Sequence, residues 1–151
     1  MIICPISGGG LISGVTLGAK SLKPSIKIIA AEPQRANDAA LSKAANRIVK
    51  LKQTDTIADG LRASLGSLTW PVVRDLVDDV LVVEDDKIVE ATKLCFEDLK
   101  VAVEPSGAIG VAAALSHSFQ RDPRWIDCKH VGIVLSGGNF DIGLLCDSLK
   151  Q

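Results

Sequence analysis

The sequence has 151 residues, 47% of them hydrophobic and 23% charged, which predicts one globular domain with a sizeable core. Its formal net charge of −1 and its aromatic content of 3%, without tyrosine, argue against a nucleic-acid-binding surface. No apolar run is long enough to span a membrane and no secretory signal opens the sequence, so we expect a cytoplasmic protein without a membrane partner.

The first half of the chain predicts two strand–helix units. A short apolar strand over residues 1–6 precedes a helix over 11–22. A second buried strand over 26–31 ends before a proline, and 36–45 has helical propensity. The connection over 47–67 is long for a compact α/β unit, and such loops are often functional.

The second half continues the alternation of helices and strands. We predict a helix over 68–77, a strand over 79–83 and a helix whose apolar face extends from Ile88 to Leu99. An alanine-rich helix over 104–119 and a strand over 131–135 follow, with a last helix after the second glycine turn. This order predicts an α/β fold, a mostly parallel sheet with helices on both faces.

The four cysteines favour a reducing compartment over a disulfide framework. None of the four, including Cys128 and Cys146, forms a C-x-x-C pair or has a zinc-like spacing from a histidine. Cys4 and Cys95 lie in apolar periodic segments, so we predict that both are core residues.

The run Ser7-Gly8-Gly9-Gly10 stands between the first strand and the first helix. Glycines allow backbone N–H groups to converge, and a helix N-terminus adds further free N–H groups, so a phosphate group is the expected ligand. A dinucleotide fingerprint is the rival interpretation, with Glu32 as the acidic residue at the end of the next strand. Ser13 occupies its third glycine position, so the residues alone leave both a phosphate-bearing cofactor and a nucleotide open.

Three carboxylates, those of Glu32, Asp38 and Glu104, are candidate functional groups. Glu32 and Asp38 flank a proline turn and could hold a hard cation, although from spacing alone a solvated acidic loop or a helix cap by Asp38 is the simpler interpretation. Glu104 precedes a proline and is either a desolvated functional group or a helix cap. His117 and His130 lie apart from any serine or cysteine pair, so no hydrolase triad is predicted.

Five motifs occur in an order that resembles the serine racemase and serine/threonine dehydratase family. They are Ser-Gly-Gly-Gly-Leu-Ile-Ser-Gly over 7–14, Ala-Ala-Glu-Pro over 30–33, Thr-Ile-Ala-Asp-Gly over 56–60, Glu-Pro-Ser-Gly over 104–107 and Leu-Ser-Gly-Gly-Asn over 135–139. Residues 70–79 strengthen the resemblance to the serine racemase side of the family. The resemblance implies an incomplete large domain of a fold type II enzyme that depends on pyridoxal 5'-phosphate.

The resemblance also implies roles for individual residues. Ser136 would bond the pyridine nitrogen of the cofactor, and Lys100 and Asn139 match positions near an effector site for ATP. A site for Mg²⁺ or Ca²⁺ would consist of Glu32, Asp38 and the carbonyl of Ala36, which reverses the preference from spacing alone. The remaining cofactor-binding residues would be Ser7, Gly8, Gly9, Gly10, Leu11, Gly60 and Glu104.

The residue that carries the family's covalent chemistry has no counterpart in this sequence. No Ser-x-Asn-x-Lys motif is present, so we identify no catalytic residue and expect this chain alone to be inactive. The resemblance implies L-serine, D-serine or L-threonine as substrates of the intact enzyme, and a homodimer. A non-catalytic phosphate- or dinucleotide-binding module is the alternative function.

Overall fold

The fold is built around a four-stranded sheet in which every neighbouring pair of strands is parallel. The computed structural model describes residues 1–141 and 143, and the sheet has the order β3-β2-β1-β4. The strands are β1 (Ile2–Pro5), β2 (Ile28–Pro33), β3 (Asp79–Val83) and β4 (Gly132–Ile133). The predicted parallel sheet is confirmed.

Six helices accompany the strands within the described residues. They are α1 (Gly10–Leu22), α2 (Asp38–Ala45), α3 (Trp70–Leu76), α4 (Asp85–Glu97), α5 (Pro105–Leu115) and α6 (His117–Gln120). Two 3₁₀ turns, Gln34–Ala36 and Asp59–Leu61, interrupt the connections. No helix of the described residues is long and apolar enough to cross a membrane.

Alternation of side chains along the central strands divides the core into two layers. Ile3 packs with residues of α4 and α5, whereas the adjacent Cys4 packs with residues of α1 and α3. Both faces of the sheet are therefore covered by helices, as predicted. Cys4 and Cys95 are fully buried free thiols, also as predicted, while Cys146 lies outside the described residues.

Two predicted helices end earlier than their apolar patterns indicate. The helix predicted over 104–119 is broken at Ser116, whose extended backbone begins α6 and whose Oγ accepts a hydrogen bond from the Phe119 N–H. The helix predicted to reach Leu99 ends at Glu97, because Lys100 adopts a left-handed φ of 58°. Leu99 is consequently 55% exposed rather than part of the apolar face.

The observed boundaries of β4 and α2 also differ from the predicted ones. The predicted strand over 131–135 forms ladder pairs only at Gly132 and Ile133, at one edge of the sheet. Ala36, the first residue of the segment predicted as helical, instead ends the 3₁₀ turn Gln34–Ala36, and α2 starts at Asp38. The predicted last helix lies outside the described residues.

The parallel strands bring the loops after β1, β2 and β4 to one edge of the sheet, where ligands of open α/β sheets bind.

Candidate functional site

A cavity of about 180 Å³ lies at the carboxyl ends of β1 and β4. It is enclosed by the glycine loop, the turn after residue 58, the beginning of α5 and the loop after β4. All eight residues predicted to bind the cofactor line this cavity: Ser7, Gly8, Gly9, Gly10, Leu11, Gly60, Glu104 and Ser136. Four segments that are far apart in the sequence therefore form one site.

Gly9 gives the loop its shape. Its φ is +88°, in the left-handed region that side chains disfavour. A Cβ placed on Gly9 would lie 2.7 Å from Thr69 Oγ1 and 2.9 Å from Thr69 Cβ, so no side chain fits there. Glycine is required at this position both for its backbone conformation and for the close approach of Thr69.

The N-terminus of α1 offers free hydrogen-bond donors to the cavity. The first bond of the helix joins the Ser13 N–H to the Gly9 carbonyl. The N–H groups of Gly10, Leu11 and Ile12 precede that bond and have no partner within the helix. Because these three residues line the cavity, the arrangement suits an anion such as a phosphate group.

The opposite wall of the cavity is tied together at the beginning of α5. Ser106 is 3% exposed, and its Oγ accepts a hydrogen bond of 3.0 Å from the Gly60 N–H. A Cβ on Gly60 would lie 3.0 Å from that hydroxyl oxygen and 3.5 Å from Glu104 Oε1. The absence of a side chain at Gly60 thus permits this close approach of Ser106 and leaves the Gly60 backbone exposed at the cavity wall.

Glu104 lies against the loop that carries Ser136. The Glu104 N–H donates to the Gly137 carbonyl at 3.2 Å, and a Cβ on Gly137 would overlap the Glu104 carboxyl group. A Cβ on Gly107 would likewise overlap the Ser136 backbone. Glu104 occupies the cap position of α5, where the helix-cap alternative puts it, although its side chain makes no capping hydrogen bond.

Glu32 and Asp38 are buried, so the solvated-loop alternative is wrong. Glu32 is 1% exposed and its carboxylate accepts hydrogen bonds from the N–H groups of Ala39 and Ala40, at 3.1 and 2.7 Å. Asp38 is 3% exposed and accepts a bond from the Leu65 N–H at 2.7 Å. Glu32, rather than Asp38, caps α2.

Burial dominates the electrostatics of this carboxylate pair. It raises the pKa of Glu32 to about 8, against the lowering effect of the two backbone N–H groups and with a smaller contribution from the charge of Asp38. Burial also raises the pKa of Asp38. Within residues 1–141 and 143, neither carboxylate forms a salt bridge with a basic side chain.

The donor set around this pair suits a hard cation with a partly aqueous shell. The described part of the chain holds no cluster of three or more His, Cys, Asp or Glu side chains placed to bind a metal. The two carboxylates, together with the Ala36 carbonyl that the family resemblance adds, are oxygen ligands of the kind that Mg²⁺ and Ca²⁺ prefer. Water would have to supply the other ligands.

Of the two residues predicted at the effector site, only Asn139 lines the second large cavity. Asn139 lines a second, polar cavity of about 770 Å³, together with Arg35, Arg62 and several aspartates. Lys100 is not among the residues that line it, and its Nζ donates to the Glu97 carbonyl. The prediction for Lys100 and Asn139 stays untested.

Four residues that line the first cavity were not predicted from the sequence to bind the cofactor. Pro5, Ile12, Leu61 and Ser106 also line the first cavity. Ser106 could have been found, because it belongs to the Glu104–Gly107 motif. Thr69 supports the glycine loop from outside the cavity, and the sequence pattern at this position predicts only the start of a helix.

Comparisons with known proteins agree with this geometry. Residues 1–137 match the family model described as "Pyridoxal-phosphate dependent enzyme". A serine racemase of Arabidopsis thaliana is 68% identical over 150 residues, which are 99% of this chain and 45% of the relative. The chain therefore spans about half the length of the curated relatives it matches.

Solved structures show the same relationship. Maize serine racemase superposes with a TM-score of 0.93 at 64% identity, covering 99% of this chain and 45% of that one. The processed form of threonine deaminase isoform 2 from Solanum lycopersicum superposes with a TM-score of 0.88 at 31% identity, covering 99% and 40%. Because the family model matches residues 1–137, this chain belongs to the family of pyridoxal-phosphate dependent enzymes.

Proposed function

We propose that this chain is the part of a serine racemase/dehydratase-like enzyme that binds the phosphate and ring of pyridoxal 5'-phosphate. The intact enzyme would racemise serine and eliminate the hydroxyl group of serine or threonine to give a 2-oxo acid and ammonia. L-serine, D-serine and L-threonine are the proposed substrates. One observation carries the proposal: eight residues from four separate segments line a single cavity beside a helix N-terminus.

The glycine loop fits the phosphate end of the cofactor. The backbone N–H groups of Gly8, Gly9, Gly10 and Leu11 would donate to the phosphate oxygens, and Ser7 would complete the loop. When bound, the cofactor withdraws electrons from the substrate and makes its Cα proton acidic. The loop contributes no charged side chain, so binding there relies on oriented backbone groups and the helix dipole.

The opposite wall fits the ring end. Ser136 would donate or accept a hydrogen bond at the pyridine nitrogen; a neutral hydroxyl stabilises a protonated ring less than a carboxylate does, which moderates electron withdrawal. Gly60 would face the ring, since its backbone lies bare at the cavity wall. Glu104 would lie near the ring substituents.

A divalent cation at Glu32 and Asp38 is part of the proposal. Two buried carboxylates without a basic side-chain partner among the described residues are electrostatically costly, and Mg²⁺ or Ca²⁺ with the Ala36 carbonyl would compensate them.

The cation proposal is tested by Mg²⁺ titration followed by thermal unfolding. Wild type should gain several degrees in melting temperature, and Glu32→Gln should lose most of that gain. The exposed Glu90→Gln serves as the matched control and should respond like wild type. Equal gains in all three proteins would contradict a cation site at Glu32.

Three further features complete the proposal. ATP as an effector near Asn139 is supported by the polar cavity that this residue lines, which contains Arg35 and Arg62 alongside several aspartates. A homodimer is proposed because the resemblance to the serine racemase and dehydratase family implies one. A cytoplasmic location is supported by the free thiols within the described residues.

Calorimetry with separate ligands tests the central claim. The chain should bind pyridoxal 5'-phosphate with higher affinity than NAD, because the glycine loop takes one phosphate and the second wall takes a small ring. Binding of NAD without binding of pyridoxal 5'-phosphate would instead favour a non-catalytic dinucleotide-binding module. Sedimentation equilibrium on the same preparation would determine whether the chain is a dimer.

A further inference from the structure

The carbonyl group of Gly8 is held from behind the phosphate loop. It accepts a hydrogen bond of 2.6 Å from Thr69 Oγ1 and another of 3.1 Å from the Gly66 N–H. Thr69 and Gly66 belong to the segment before α3 and do not line the cofactor cavity. Two donors thus fix one carbonyl on the side of the loop away from the ligand.

This anchoring determines where the next N–H group points. A peptide unit is planar and trans, so the Gly8 carbonyl and the Gly9 N–H point in opposite directions. With the carbonyl held by Thr69 and Gly66, the Gly9 N–H is directed to the other side of the loop. Glycines on both sides of this peptide unit leave its rotation otherwise weakly restrained, because both residues have wide backbone freedom.

The hydroxyl group of Thr69 donates to backbone carbonyls, with the shorter contact at Gly8, and does not cap α3. Thr69 occupies the cap position of α3, where a threonine side chain commonly accepts a bond from the helix backbone. Here it makes no capping bond, and its Oγ1 instead contacts the carbonyls of Gly8 and Gly66, the latter at 3.0 Å. Its close approach also excludes any side chain at Gly9.

We propose that Thr69 is a positioning residue that orients the Gly8–Gly9 peptide and thereby strengthens recognition of the ligand's phosphate group. The inference rests on the proposed function, because it concerns the same cavity. It assigns no contact between Thr69 and the ligand. Substitution of Thr69 should therefore change the affinity only for ligands that carry a phosphate.

The test compares two ligands that differ only in the phosphate. Pyridoxine 5'-phosphate and pyridoxine both lack the aldehyde, so neither reacts covalently with lysine side chains. Thr69→Val keeps the shape of the side chain and removes its hydroxyl group, whereas Thr69→Ser keeps the hydroxyl. Dissociation constants for both ligands are measured by calorimetry on the 151-residue chain and its variants.

Loss of one hydrogen bond that orients the loop should weaken pyridoxine 5'-phosphate binding about fivefold to tenfold in Thr69→Val. Pyridoxine binding should change by less than about twofold in that variant, and Thr69→Ser should bind both ligands like wild type. An equal loss for both ligands would overturn the inference, since it would indicate general damage to the site. Unchanged binding of both ligands by Thr69→Val would overturn it too.

Folding and the proposed function are checked separately. Thr69 is half-buried, so Thr69→Ala provides a second variant without the hydroxyl group if Thr69→Val does not fold. The same phosphate-selective loss is expected from it. Failure of wild type to bind pyridoxal 5'-phosphate would refute the proposed function, and with it this inference, whereas a non-selective loss in the variants would refute the inference alone.

Discussion

Gly9 carries two constraints at once, a left-handed backbone and a threonine packed where a side chain would begin. The first costs an L-residue about 1–2 kcal/mol. The second adds a steric overlap, because a Cβ would approach Thr69 Oγ1 to 2.7 Å. The demand on this position is therefore structural as well as functional.

For these reasons Gly9→Ala should lower the free energy of unfolding by about 1–2 kcal/mol or more and abolish phosphate-dependent binding. Gly18→Ala is the matched control, since Gly18 lies in α1 and a Cβ added there would have nothing within 4 Å. Replacing a helical glycine should stabilise by about 0.5–1 kcal/mol. The free energies of unfolding are measured by urea denaturation. Equal changes for the two substitutions would contradict a specific requirement for glycine at position 9.

Individual site residues could be predicted where they belong to a contiguous motif. The glycine loop, Glu104 and Ser136 stand in short motifs next to strand ends, and topology brings strand ends together. Thr69 could not be predicted, because its bond to the Gly8 carbonyl joins residues 61 positions apart. The burial of Glu32 and Asp38 also depends on packing that spacing does not reveal.

At the level of elements, Asp78 connects three pieces of the fold. Its carboxylate accepts hydrogen bonds from Lys20 near the end of α1, from Lys27 before β2 and from the Ile28 N–H, at 3.1, 2.9 and 2.9 Å. Burial alone would raise its pKa, but these three bonds outweigh burial and hold the pKa of Asp78 below its ordinary value. The charged form therefore stabilises the folded state.

Asp78→Asn should therefore destabilise the protein by about 1.5–3 kcal/mol at neutral pH. In the unfolded chain Asp78 has the ordinary pKa of 3.8, and in the folded protein its pKa is lower. The charged carboxylate therefore stabilises the folded protein fully above pH 3.8, and this stabilisation is lost as the pH falls through the folded-state pKa. The difference between variant and wild type should accordingly shrink in acid, as measured by denaturation at several pH values. Asp75→Asn, which breaks only the exposed pair with Arg74, should have no measurable effect. A pH-independent difference for Asp78→Asn would contradict the linkage.

Elements were predictable from hydrophobic periodicity, but several of their ends were not. The strand over Asp79–Val83 was placed correctly because its apolar run has clear limits. The break at Ser116 was missed, since the surrounding sequence is rich in helix-forming alanine and only the cap bond to Phe119 marks the boundary. The short β4 follows from its position at the sheet edge, where one neighbour provides its pairs.

On the scale of the whole molecule, the candidate cofactor cavity contains no residue that we identify as catalytic. We expect the 151-residue chain, mixed with pyridoxal 5'-phosphate and L-serine, to produce neither pyruvate nor D-serine at a sustained rate. No side chain here matches the lysine motif of the family, so borohydride reduction should leave no single lysine modified stoichiometrically. A full-length serine racemase is the positive control, and sustained product from the chain alone would contradict this expectation.

The brevity of β4 has a consequence for the cavity as a whole. The side of the cavity proposed to bind phosphate is attached to β1, which has a paired strand on each side, whereas Ser136 follows a two-residue strand with β1 as its neighbour. Local opening should therefore require less free energy at 132–138 than at 2–5. Amide hydrogen exchange should be faster over 132–138, and ligand binding should slow it there; equal protection of both segments would contradict this. Ligands would then enter and leave by transient release of the ring side, while the phosphate side stays formed.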